Sequence, residues 1–263
     1  MENIKQAVAG LLAKSRYNFD DLCTIMTILR GEGGCPWDRE QTHRSIRQNF
    51  IEETYEVIEA IDTEDPKLLR EELGDVLLQV VFHARMEEEI GRFSIDDVAN
   101  DICAKLIHRH PHIFGSVQAD TTDQVLANWE AIKAAEKARV TVADKLESIP
   151  PMLPALMRAE KVGKKAGLDD AEGNFDAVRT AAALAAAAET LADSDAADRE
   201  ARYGELLFLA VTLGRQLGLE AETALARETD RRVADYRALE TALAADPQIA
   251  AAQIWQNLRA KQK

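Results

Sequence analysis

The sequence predicts an all-α protein built as two tandem helical bundles. Three observations predict it. Apolar residues recur at helical spacing along almost the whole chain, and no convincing alternating strand is found. Ala, Leu, Glu and Lys are plentiful while aromatics make up only 5% of 263 residues, a helix-forming composition. The second half also echoes the first. GELLFLAVTLGRQLGL (204–219) resembles GDVLLQVVF (74–82), and the segment at Trp255 resembles that at Trp129, at an offset near 130 residues.

The elements follow in order. Phe19, Leu22, Ile25, Met26 and Leu29 line one face of a helix that GEGG (31–34) ends. A loop with Pro36 follows, then a helix from about Thr42 to Ile61. Asp65-Pro66 is a cap followed by a first-turn proline, so the next helix starts there and runs to Gly91. Ser94 with Asp97 reads as a capping box for a fourth helix, which ends near His108 because Pro111 lies just beyond. A fifth covers Asp123 to Arg139. Residues 141–156, TVADKLESIPPMLPAL, hold three prolines and read as a linker between a domain at 1–140 and another at 157–263.

Composition excludes several classes. A net charge of −14 argues against a nucleic-acid polymer as partner, which needs a broad cationic surface. It leaves room for a small phosphorylated ligand bridged by a cation. No apolar run is of membrane-spanning length, and the N-terminus does not read as a signal peptide. Cys23, Cys35 and Cys103 are an odd count without metal-type spacing, which favours a reduced, cytoplasmic protein.

The second and third predicted helices carry the chemistry. Glu53 and Glu56 are three apart and share a face; so do Glu72 and Asp75. Folded back around Thr63–Glu64, Glu56 comes level with Glu72 and Glu53 with Asp75. Four carboxylates can then converge beside the nearly unbroken apolar run Val76–Phe82. Such a cluster repels itself unless a cation neutralises it. All-oxygen ligation suits Mg²⁺ or Mn²⁺, not zinc. A single such pair is usually a solvated face, but two in mirrored register are much less so. A carboxylate di-iron bundle would want Glu-x-x-His pairs, and neither of these two helices holds one.

Other groups suit a ligand. Lys105 and Arg109 lie four apart and could face phosphates, although cations also favour a helix C-terminus for its own sake. Trp129 and Lys133, again four apart, could stack a base and touch a phosphate; alone, Trp129 reads as core. His108, His110 and His112 alternate around Pro111 without a nearby cysteine, a poor zinc tract. GGCPWD (33–38) sets Trp37 and Asp38 after a tight loop, and its structural alternative is a turn with Trp37 tucked into the bundle.

GCPWDREQT (34–42), EETYE (52–56), EELGD (71–75), VVFHA (80–84), RHPHIFG (109–115) and WEAIK (129–133) resemble the MazG family of nucleoside triphosphate pyrophosphohydrolases. The resemblance implies tandem MazG-like all-α domains, a homodimer, and Mg²⁺-dependent cleavage of a nucleoside triphosphate to the monophosphate and pyrophosphate. It implies Glu53, Glu56, Glu72 and Asp75 as metal ligands. Lys105, Arg109, Trp129 and Lys133 become nucleotide and phosphate contacts. Glu52 or Glu71 becomes the group that orients or deprotonates the attacking water. Adding 130 to the ligand positions gives Ala183, Ala186, Arg202 and Glu205, so the second half reads as a degenerate copy. A nucleotide-binding regulator without turnover and a plain helical scaffold are the other classes the sequence allows.

Overall fold

The computed structural model describes residues 2–136, 141–167 and 176–245. Its described residues form helices and no strand, and the chain divides into two compact units, residues 1–133 and 134–263.

In the first unit, α1 (Glu2–Leu12) packs on α2 (Phe19–Arg30). Asn18 caps α2 in a reciprocal box with Asp21, whose carboxyl Lys14 and the Asn18 amide hold below its ordinary range. The following loop turns sharply on two glycines. Gly33 has φ 78°, and a Cβ on Gly34 would lie 2.3 Å from the carbonyls of Ile28 and Leu29. Arg30 clamps this loop. Its guanidinium donates to both oxygens of Glu89 (2.9 and 2.8 Å) and to the carbonyls of Asp38 and Gln41, and lies over Phe82.

Pro36 does not sit in a plain loop: it opens the short helix α3 (Pro36–Glu40). Trp37 on that helix is 59% exposed, so the tucked-in alternative is wrong. α4 (Arg47–Asp62) starts five residues later than Thr42, because Thr42 and Ser45 bond each other's backbone amides and hold a turn there.

α4 and α5 (Pro66–Glu89) form the main hairpin. The turn is three residues long. Glu64 takes a positive φ of 54°, and Asp65 caps α5 through the amides of Lys67 and Leu68. Met26, Ile46, Val81, Phe82 and Met86 make the core. The run Val76–Phe82 is only partly covered: Val81 and Phe82 are buried, while Leu77 faces out. α6 (Ile95–Arg109) starts at the Ser94–Asp97 box and packs on α5. The short α7 (Pro111–Phe114) and α8 (Thr122–Glu136) follow; the end expected at Arg139 lies outside the described residues.

In the second unit, the segment read as a linker carries a helix. α9 (Val142–Glu147) is capped by a Thr141–Asp144 box and packs on α10 (Ala155–Ala166). α10 ends on Gly167 in the left-handed region. α11 (Ala177–Ala192) and α12 (Arg199–Gln216) pair as a second hairpin, and α13 (Ala221–Ala245) packs on α10 and α12. The Trp255 segment lies outside the described residues.

Candidate active site

The α4–α5 hairpin gathers the acids. Oxygens of Glu53, Glu56 and Glu72 lie within 4.8 Å of one another. Asp75, one turn beyond Glu72, is outside that triplet but borders it: its charge acts on both Glu53 and Glu72. The cause is local. The capped three-residue turn fixes how the helices meet, and a spacing of three puts each pair on the inner faces.

The electrostatics are those of an uncompensated cluster. Withdrawal from water, then the charges of Asp75 and Glu56, push the Glu53 carboxyl above the ordinary carboxylate range. Burial, then Glu56, does the same to Glu72. Glu56 stands between them and is exposed, so the cluster opens to solvent on that side. An oxygen-only donor set under mutual repulsion fits a hard divalent cation. Glu52 and Glu71 stand outside the triplet and are exposed. Glu52 accepts a long 3.5 Å bond from Gln48, and Glu71 acts on Glu72 through its charge.

Three of the four expected nucleotide contacts meet at one place. Arg109 at the end of α6 sits over the Trp129 ring of α8, 5.5 Å from its centroid. Lys133 Nζ lies over the same ring at 4.5 Å. Lys105, one turn before Arg109, is exposed. Trp129 is half-buried and carries two cations, which the sequence spacing alone did not foretell for Arg109.

Sequence reasoning missed a second polar cluster. His43, from the turn before α4, bonds His83 of α5 at 2.7 Å and Glu87 at 2.6 Å. Arg92 donates to the other oxygen of Glu87 at 3.3 Å. No spacing rule links positions 43 and 83; only the packing of α4 on α5 joins them. The signal available was His83 itself, a titratable side chain inside the apolar VVFHA stretch.

In the second unit the corresponding hairpin holds no such cluster among its described residues. Ala183 and Ala186 are exposed on α11. Arg202 is half-buried on α12, with its Nε unpaired, 3.8 Å through Nη2 from Asp198.

Residues 41–114, which contain all four acids, match the family model for the MazG nucleotide pyrophosphohydrolase domain. The chain is similar over most of its length to two curated proteins. It is 42% identical over 239 residues to the nucleoside triphosphate pyrophosphohydrolase of Escherichia coli (strain K12), covering 86% of this chain and 88% of that one. It is 40% identical over 233 residues to the nucleoside triphosphate pyrophosphohydrolase/pyrophosphatase MazG of Thermotoga maritima, covering 87% and 88%. With the acids gathered on a helical hairpin and likeness at this level spanning both units, the chain belongs to the MazG family of nucleotide pyrophosphohydrolases.

Proposed function

We infer that this protein hydrolyses nucleoside triphosphates to nucleoside monophosphate and pyrophosphate, with Mg²⁺, or Mn²⁺ in its place, at the α4–α5 acids. The observation that carries the reading is the oxygen-only triplet of Glu53, Glu56 and Glu72, bordered by Asp75, in a chain of this family. The names borne by the Escherichia coli and Thermotoga maritima relatives support it.

In this reading the four acids hold the cation, which when bound would draw in phosphate oxygens and acidify a water. Glu71, beside Glu72, or Glu52 orients that water. Arg109 and Lys133, set over Trp129, and Lys105 one turn away offset negative charge on the triphosphate as pyrophosphate departs. The second unit serves packing or regulation and turns over no substrate.

The working form is a homodimer in the cytoplasm. Ile58, Ile61, Leu73, Leu77, Ile102 and Leu106 leave an apolar surface on α4, α5 and α6, which a second copy would cover. Free Cys23, Cys35 and Cys103 suit a reducing compartment. No described helix is long and apolar enough to cross a membrane.

The test is pyrophosphate release from a panel of eight ribo- and deoxyribonucleoside triphosphates with Mg²⁺. A regulator would bind nucleotide without product, and a scaffold would do neither; either result ends the hydrolase reading.

A further inference from the structure

The α4–α5 hairpin is closed at one end by its turn, and its acids push it open. Glu53 and Asp75 stand at equal distance from Glu64, and their charges repel across the gap between the helices. Repulsion acting beyond a turn splays the far end, so something past the acids has to hold α4 to α5. Ile46, buried with Val81, Phe82 and Met86, does part of this. Apolar contact is not directional, however. It keeps the helices together without fixing how one slides or turns against the other.

His43 supplies the direction. Counted outward from Glu64, position 43 comes level with position 85 of α5. His83 and Glu87 flank that level and share a face of α5, one turn apart. His43 holds both: its Nε2 lies 2.6 Å from Glu87 and its Nδ1 2.7 Å from Nδ1 of His83, with the two ring planes only 4° apart. Burial would raise Glu87, but hydrogen bonds from His43 and Arg92 outweigh it and hold the carboxyl below its ordinary range. An ionised carboxylate only accepts, so His43 donates to it from Nε2. The Nδ1 pair shares one hydrogen, from whichever ring carries it. Bonds to two successive turns fix both the sliding and the rotation of the head of α4. They lie about 12 and 18 Å along α5 beyond Asp75, so the acids sit between two fixed points.

The segment that carries His43 is itself braced. Thr42 and Ser45 bond each other's amides around it. Ser45 Oγ donates to the Gln41 side chain at 2.7 Å, and that side chain donates to the Trp37 carbonyl at 2.9 Å. Arg30 ties the carbonyls of Asp38 and Gln41 to Glu89, one residue from the Glu88 turn of α5. Glu87 is 8% exposed and also accepts from Arg92. Phe50 leans on the His83 ring from α4 at 5.9 Å. The second unit offers a contrast within the same chain. At the offset that sets Glu205 on Asp75, Leu213 and Leu217 stand where His83 and Glu87 do. The hairpin that lacks the acids lacks the α5 half of this latch as well.

We propose that His43 is a positioning residue for the cation site: bonded to His83 and Glu87, it latches the head of α4 to α5 and fixes the register in which Glu53 and Glu56 meet Glu72 and Asp75. This rests on the reading above that these acids hold a divalent cation. The latch lets the hairpin keep its acids close while no cation is bound, so less of the binding energy goes into drawing the helices together.

The test is Mn²⁺ affinity of the full chain without nucleotide, followed by the electron paramagnetic resonance of the free ion. His43→Ala should weaken binding about three- to tenfold, less than the roughly ten- to hundredfold cost of losing a group bonded directly to a ligand. His43→Gln, whose amide keeps a donor for Glu87, should recover most of that loss. Adding Glu87→Gln to His43→Ala should cost nothing further, because the two act as one unit. Should His43→Ala fail to fold, Glu87→Gln alone, which keeps the side chain's size, should show the same loss. A merely structural role would lower the chelator Tm and leave the affinity of the folded protein unchanged. Folded variants that bind Mn²⁺ as tightly as a wild type that binds it overturn the latch alone. A wild type that binds no Mn²⁺ takes down the cation reading and the latch together.

Discussion

The α4–α5 and α11–α12 hairpins are built alike and charged differently. Both pair two consecutive helices across a short connection, residues 63–65 in one and 193–198 in the other. The first brings together three carboxylates and a bordering fourth. The second has alanine at 183 and 186, arginine at 202, and keeps a single acid at 205. The second shows that the pairing closes without such an acid cluster, so the acids of the first do not serve packing. Burial and the neighbouring charges push the Glu53 and Glu72 carboxyls above the ordinary carboxylate range, so these two work against it.

The largest effect should come from breaking the acid set where it is complete. Asp75→Asn or Glu53→Ala should lower pyrophosphate release at least about a hundredfold, more than losing a partner behind a metal ligand usually costs. Glu205→Ala should leave it unchanged. If Glu205→Ala is as inactive as Asp75→Asn, the roles of the two hairpins are reversed.

Next is the response to metal. Saturating Mn²⁺ at a hundredfold over its Kd should stabilise the protein by about 2.7 kcal/mol against chelator, seen as a higher Tm. Without metal the sign inverts for one substitution. Glu53 titrates above its ordinary 4.5 in the fold, so its favourable contribution is present below that value and is lost as pH rises through the raised pKa. Glu53→Gln should therefore melt higher than wild type in chelator at pH 7, lose that gain near pH 4, and fall below wild type once Mn²⁺ is added. An unchanged Tm across these conditions argues against a preformed site.

The apolar surface gives the third test. Light scattering at low micromolar concentration should report twice the 29.1 kDa chain mass, and Leu73→Glu should halve it. A wild-type mass near one chain removes the homodimer.

The smallest effects separate the clamps of the two units. Arg30→Ala should cost roughly 2 kcal/mol, because its charged hydrogen bonds hold the 31–41 loop and its side chain is 7% exposed. Glu228→Ala, which breaks only surface pairs with Arg231 and Arg232, should leave the melting curve almost unmoved.

Much of this was legible in the residues. Asp65-Pro66 and the Ser94–Asp97 box marked their helices because caps are local chemistry. The carboxylate hairpin was legible because a short turn makes distance from it a coordinate. The start of α4 was misread because Thr42 and Ser45 satisfy each other's amides in a turn instead. α9 was hidden because neighbouring prolines drew attention from the Thr141–Asp144 box, a signal of the same type as at Ser94. α1 went unread altogether, although its apolar residues share one face, because no cap signal precedes it in the sequence. The His43–His83–Glu87 chain and the Arg109–Trp129 contact were illegible for a different reason. Both depend on how separate elements pack, which no spacing along the chain encodes.

The three-residue turn at 63–65 has a kinetic consequence. Every acid of the cluster lies between positions 53 and 75, so the cluster is made entirely of contacts close in sequence. Such contacts demand little loop closure and form early in folding. Affinity for the cation should then appear in a refolding experiment before the Met26–Phe82 core is complete. A terbium or manganese signal that rises ahead of burial at that core would mark the hairpin as a folding unit whose metal ligands are assembled before the rest of the enzyme exists.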